Sequence, residues 1–282
     1  MQKRNTAILS LILILALGMI SAPVWAQPLG RANTPVYYLS LGTSLAAGVQ
    51  ADFPESCESV VTDFSYPGFI AEYISADQDI SKLRHVNLGC PEETSDTFID
   101  GGLCNFPHGS QLEEALNFLH AHGKFTGLIT IDLGANDALP CFDDPSPEGG
   151  IIECFAAAVT NLSSNLSDIL NALQQEAPGV PIVGMNYYNP LLLGDPGSAP
   201  LQDALNAALQ VVYGTREVPI PVADVAGAFS ATPPGELALL CDWTWMCDCF
   251  NIHPNVYGYE AIANAFNPVL PYIQISESPR RR

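Results

Sequence analysis

Residues 36–50 read Val-Tyr-Tyr-Leu-Ser-Leu-Gly-Thr-Ser-Leu-Ala-Ala-Gly-Val-Gln. Six residues rich in β-branched, aromatic and leucine side chains run into Gly42-Thr43-Ser44, and Leu45-Ala46-Ala47 then suits a helix start. This is a strand, a tight turn and a helix, and such a unit is built to lie in a sheet whose strands are joined by helical crossovers. Ser44 falls where strand becomes helix, a place that suits a nucleophile at the C-terminal edge of a parallel sheet. It equally suits a serine that only caps a short helix.

The rest of the chain repeats the unit. Arg84–Leu88, Gly127–Leu133, Val180–Tyr188 and Val218–Val225 read as further strands. Between them helices are expected from Phe69 to Ile74, from Ser110 to about His122, from Ile152 to Glu176 and from Pro200 to Tyr213. Ser110-Gln111-Leu112-Glu113 has the form of a capping box. The run Gly127–Leu133 is apolar enough to be central, whereas Pro219 and Pro221 make the fifth strand an edge. Ala51–Ser65 and Gly89–Gly109 read as loops, and a short helix is expected over Glu260–Phe266. The alternation predicts a three-layer α/β/α fold around a five-stranded parallel sheet.

Residues 1–26 stand apart from this domain. Lys3 and Arg4 precede an apolar run from Ala7 to Ile20, and Val24-Trp25-Ala26 has the form of a cleavage site, so a secretory signal peptide is expected. The run is too short for a convincing membrane anchor. Residues 27–282 are expected to form one domain, acting as a monomer outside the cell. Its 30 Asp+Glu against 10 Lys+Arg in the whole chain make nucleic acid an improbable partner.

All eight cysteines follow the leader: Cys57, Cys90, Cys104, Cys141, Cys154, Cys241, Cys247 and Cys249. An even count in an exported chain points to disulfides. The competing reading is a metal site within Cys241 to His253; oxidising surroundings and the absence of a Cys-x2-Cys pair disfavour it, and no metal or other cofactor is expected. Asn161-Leu-Ser and Asn165-Leu-Ser match glycosylation sequons, but inside a helix they are ascribed to chance.

Three strand ends carry donor or nucleophilic residues: Ser44, the 89–95 segment, and Asn136 in Gly134-Ala-Asn-Asp. A fourth block near the C-terminus reads His253-Pro-Asn-Val-Tyr-Gly-Tyr259. In this order the four blocks resemble the GDSL/SGNH hydrolases, secreted esterases and lipases with a flavodoxin-like sheet. The resemblance spans nearly all of residues 27–282.

It implies Ser44 as nucleophile and His253 as base. It also implies an oxyanion hole built from the Ser44 N–H, a backbone N–H near Glu92 and the Asn136 amide. By analogy with the disulfide-containing secreted branch it implies Cys57 paired with Cys90 and Cys141 with Cys154, the other four cysteines being left open.

Three positions depart from the family pattern. Thr43 stands in place of an aspartate, Glu92 in place of a glycine, and Phe250 in place of the aspartate three residues before the histidine. Either Asp248 or a backbone carbonyl is then expected to orient His253. Tyr187-Tyr188, Leu191–Leu193 and Trp243–Met246 either line an acyl pocket or pack as core and loop residues.

A small-molecule or lipid ester is the expected substrate. The alternatives are a carbohydrate or lysophospholipid esterase using the same site, and a secreted, non-catalytic binding protein on a degenerate hydrolase fold.

Overall fold

Apolar runs long enough to be buried on both faces become the inner strands. The computed structural model of the protein describes residues 35–273, apart from 79, 81, 144–148 and 231–234. The expected leader and residues 274–282 lie outside the described residues. Strands β1 (Val36–Gly42), β4 (Leu83–Asn87), β5 (Thr126–Asp132), β6 (Ile182–Met185) and β7 (Val222–Ala223) form one parallel sheet in the order β4-β1-β5-β6-β7. This is the flavodoxin-like strand order. All seven residues of β5 are buried, as its central position requires.

The chain crosses between strands through helices. Those preceding β6 are α1 (Ser44–Ala47), α2 (Tyr66–Asp77), α3 (Ser95–Asp100), α4 (Gln111–His122), α5 (Ala135–Ala138), α6 (Pro140–Asp143) and α7 (Ile151–Glu176). After β6 come α8 (Ala199–Gly214), α9 (Val225–Ser230), α10 (Glu236–Trp243), α11 (Met246–Cys249) and α12 (Val256–Phe266). Helix α12 packs on α2 and α9, while α7 packs on α3, α4 and α8, which gives the two helical layers. Among the described residues no helix is long and apolar enough to cross a membrane.

The structure amends several boundaries. The expected loop 51–65 contains one strand of a small antiparallel hairpin, β2 (Val49–Ala51) with β3 (Ser59–Val61), and the 89–109 loop contains α3. Both are too short for periodicity to reveal. The fifth strand shrinks to two residues at the sheet edge, because Pro219 and Pro221 cannot donate to a ladder. Helix α12 begins at Val256 rather than Glu260, since Asn255 Oδ1 accepts the Gly258 N–H at 3.1 Å and caps it.

Four disulfides are present: Cys57–Cys249, Cys90–Cys104, Cys141–Cys154 and Cys241–Cys247. The 141–154 pair is as expected, but the Cys57–Cys90 pair is not formed. Cys57 follows the turn of the β2–β3 hairpin, which reaches the segment after α11, whereas Cys90 is buried beyond β4 with Cys104 beside it. The cysteines of the 241–253 segment are all oxidised, which leaves that stretch without thiolate ligands for a metal.

Candidate active site

The first strand-to-helix turn owes its shape to a close approach. Gly42 has φ 132°, and a Cβ there would collide with the Asp132 carbonyl and carboxylate across the β1–β5 pair. Thr43, not Ser44, is the N-cap of α1, so the Ser44 hydroxyl is not consumed in capping. The Thr43 hydroxyl donates to Asp132 Oδ2 at 2.6 Å, and its N–H reaches the same oxygen at 3.1 Å. Tyr66 OH donates to Asp132 Oδ1 at 2.9 Å. Burial pushes the Asp132 carboxyl up to about 7, opposed by these hydrogen bonds. The turn thus has a carboxylate beneath it, supplied by β5 in place of an aspartate at position 43.

Beyond β4, Asn87 Nδ2 donates to Ala46 O at 2.7 Å and binds the second block to α1. Glu92 adopts φ 65°, a left-handed backbone that a glycine takes freely and a residue with a Cβ takes at a cost of about 1–3 kcal/mol. Its side chain is exposed, so the carboxylate faces solvent. Glu92 thus holds a backbone conformation that a glycine takes freely.

The adjacent pair after β5 grips this segment. Asn136 Nδ2 donates to Glu93 O at 3.0 Å, and Asp137 accepts the Ser95 N–H at 3.1 Å and the Ser95 hydroxyl at 2.5 Å. Burial pushes the Asp137 carboxyl up to about 6. From α7, Asn165 Nδ2 adds bonds to Ser95 Oγ and Asp96, and Asn161 bonds Asp96. Both sequon asparagines are therefore engaged in packing α3 onto α7. An amide nitrogen carries two hydrogens, so Asn136 retains one N–H beyond its bond to Glu93.

His253 is fixed from its Nδ1 side by a residue that the sequence reading passed over. Asn251 Oδ1 lies 2.7 Å from His253 Nδ1 and 3.0 Å from the His253 backbone N–H. A backbone N–H can only donate, so the atom facing it is the amide oxygen. Nδ1 must then carry a proton, and Nε2 keeps its lone pair. Asn251 Nδ2 donates to Ser59 Oγ at 3.0 Å, in agreement with this orientation.

Asn251 therefore takes the place expected for Asp248 or a backbone carbonyl. Asp248 is exposed, and Phe250 is 83% exposed with φ 53°. The signal was present in the sequence: an amide two residues before a histidine can reach its Nδ1 and its backbone N–H together. Tyr188 OH supports the loop through Ile252 O at 2.7 Å. Burial holds His253 down at about 4, so its imidazole is neutral at pH 7.

Ser44, Asn136 and His253 line one cavity that opens to solvent. No hydrogen bond joins Ser44 to His253 among the described residues; such contacts commonly close only on substrate. Tyr187, Tyr188 and Leu191 line the same cavity, together with Phe142, Phe155 and Leu205. The 243–246 segment does not, because Trp243 packs edge-on against Phe229 and Trp245 against Phe53. Glu92 is not in the lining either.

A flavodoxin-like sheet with a serine, an asparagine and a histidine gathered at its carboxyl edge defines an α/β protein of the hydrolase class. The chain belongs to the GDSL-like lipase/acylhydrolase family, whose model matches residues 40–261. Among solved structures it is similar to a lipase, Lip_vut3, from a goat rumen metagenome, at 18% identity and a TM-score of 0.58, covering 83% of this chain and 96% of that one. It is similar also to Axe2, an acetylxylan esterase from Geobacillus stearothermophilus (14%, TM-score 0.58, 86% and 99% covered). A third is LAE5, an alpha/beta hydrolase from a Lake Arreo metagenome (17%, TM-score 0.52, 83% and 94%). At these identities the likeness shows the fold. No curated protein sequence matches the chain.

Proposed function

We propose that the protein is a secreted serine hydrolase that cleaves carboxylic esters carrying an apolar acyl group. The observation that carries this reading is the Asn251–His253 pair, which holds the ring proton on Nδ1 and leaves the Nε2 lone pair of the buried, neutral imidazole to the cavity it shares with Ser44. In this reading Nε2 takes the Ser44 proton as Oγ attacks the ester carbonyl, then returns it to the departing alcohol. The oxyanion is met by the Ser44 N–H, the second N–H of Asn136 and the backbone N–H of Glu92. Water repeats the cycle on the acyl-enzyme. Neutral asparagine fixes the tautomer as an aspartate would, without stabilising the imidazolium by charge.

Export is proposed from residues 1–26, and four disulfides suit an oxidising compartment. The degenerate-fold alternative drew on Thr43, Glu92 and Phe250. Against it stand a turn that keeps its carboxylate, an oxyanion loop that keeps its glycine-like backbone, and a histidine that keeps an Nδ1 acceptor.

The acyl reading rests on the cavity, where Leu45, Leu139, Phe142, Phe155, Leu191 and Leu205 give the lining a broad apolar surface beside the serine. Each methylene they cover is worth about fourfold in kcat/KM. Across p-nitrophenyl acetate, butyrate, hexanoate and octanoate, kcat/KM is expected to rise by at least about tenfold from acetate to hexanoate. A preference for acetate together with release of acetate from xylooligosaccharides would move the assignment to a carbohydrate esterase, and preferred turnover of lysophosphatidylcholine to a lysophospholipid esterase.

The pH profile follows from His253. Its neutral form is the base, and burial places its pKa near 4. Activity therefore rises with pH through about 4 and has no histidine limb at pH 6–7. An acid limb centred near 6.5 would show a solvated imidazole.

A further inference from the structure

Helix α4 opens with Gln111, placed directly after the N-cap Ser110, whose hydroxyl accepts the Glu113 N–H at 3.1 Å. Gln111 is completely buried and reaches the end of β1. The Gly42 N–H donates to Gln111 Oε1 at 2.6 Å, and Gln111 Nε2 donates to Gly42 O at 2.9 Å and to Glu93 Oε2 at 2.8 Å. The backbone N–H again fixes which atom is oxygen, so all three bonds have a determined sense. A side-chain amide here does for Gly42 what a neighbouring strand does elsewhere in the sheet.

What the amide joins matters more than the bonds themselves. Gly42 stands two residues before Ser44. Glu93 follows Glu92, and its carbonyl accepts from Asn136 Nδ2 at 3.0 Å. Gly42 O also accepts the Cys90 N–H at 3.0 Å, at the start of the same loop. Every side-chain hydrogen bond of Gln111 therefore falls on the nucleophile turn or on the loop carrying the backbone oxyanion donor. Glu93 as a residue is 1% exposed.

We infer that Gln111 is a positioning residue that sets the spacing between Ser44 and the oxyanion donors, with Glu93 as its anchor. This rests on the serine-hydrolase reading. A misplacement of about 1 Å at such a site costs on the order of 10²-fold in rate.

Two substitutions test it. Gln111→Met keeps length and removes every polar atom. It is expected to lower kcat by about 10²-fold while KM stays within about twofold. Gln111→Glu keeps the acceptor for the Gly42 N–H, but it bonds Glu93 only while one of the two carboxyls holds a proton.

Its activity relative to wild type is expected to be highest near pH 5 and to fall tenfold or more by pH 8. The other ionisable groups nearby are Asp132, across Gly42, and Glu113, beside Gly109; both are present in the wild type too, which makes the ratio the right quantity.

A natively folded Gln111→Met protein with kcat within threefold of wild type overturns the inference, as does a pH-independent ratio for Gln111→Glu. If Gln111→Met fails to fold, the ratio decides alone. Should the wild type turn over no ester, the serine-hydrolase reading fails by itself. Amide hydrogen exchange then tests the clamp. Faster exchange over residues 40–46 and 90–94 in Gln111→Glu at pH 8 than at pH 5, after correction for the wild type, supports it, and unchanged exchange overturns it.

Discussion

Replacing Ser44 or His253 by alanine is expected to lower ester turnover by about 10⁴–10⁶-fold, and the double variant is expected to be no worse than either single one. In the proposed mechanism the two groups act on one proton, so removing the base leaves a serine hydroxyl that is a weak nucleophile at neutral pH. Fold should survive both changes, because Ser44 is not the cap of α1 and the His253 loop is held by Tyr188 and by the Asn251 and Trp245 backbone contacts. Initial rates with p-nitrophenyl butyrate, read beside near-ultraviolet circular dichroism, check the expectation. Additive losses would mean that the two residues do not form one catalytic unit.

The second large effect is expected at Asn251. Asn251→Leu removes the Nδ1 acceptor and frees the imidazole to take the wrong tautomer, which lowers kcat by about 10²–10⁴-fold. Asp248→Ala, an exposed site, is expected to stay within about threefold of wild type. Equal losses at the two positions would restore Asp248 as the orienting acid.

Asn251→Asp gives a signed result. A carboxylate beside Nδ1 favours the imidazolium, so the His253 pKa rises from about 4 and the acid limb moves to higher pH. A limb that stays in place would show that Asn251 does not govern the imidazole.

The layers and the central place of β5 were legible because β1 and β5 carry apolar runs that end in Gly-Thr-Ser and Gly-Ala-Asn-Asp. Burial on both faces leaves a sequence signal that a two-residue strand such as Val222–Ala223 does not. The β2–β3 hairpin left none, since its strands have three residues each and its connection has no two-residue turn motif.

The candidate site was legible in its strand-end residues, which local turn chemistry places. It was obscure in its supports, which come from distant parts of the chain: Asp132 under Thr43, Gln111 on Gly42, and Cys57 bonded to Cys249 across 192 residues. Asn251 was hidden for a different reason. The family pattern places an acid three residues before the histidine, and a side-chain amide two residues before it fixes the tautomer without a charge.

The central claim is that Ser44 is a nucleophile activated by His253. Treating the purified protein with a fluorophosphonate probe and mapping the adduct by peptide mass tests it most directly. The account predicts one equivalent of label on the peptide containing Ser44 in the wild type, none in Ser44→Ala, and labelling slowed by at least about 10³-fold in His253→Ala. Equal labelling of wild type and Ser44→Ala, or no labelling of either, would contradict it.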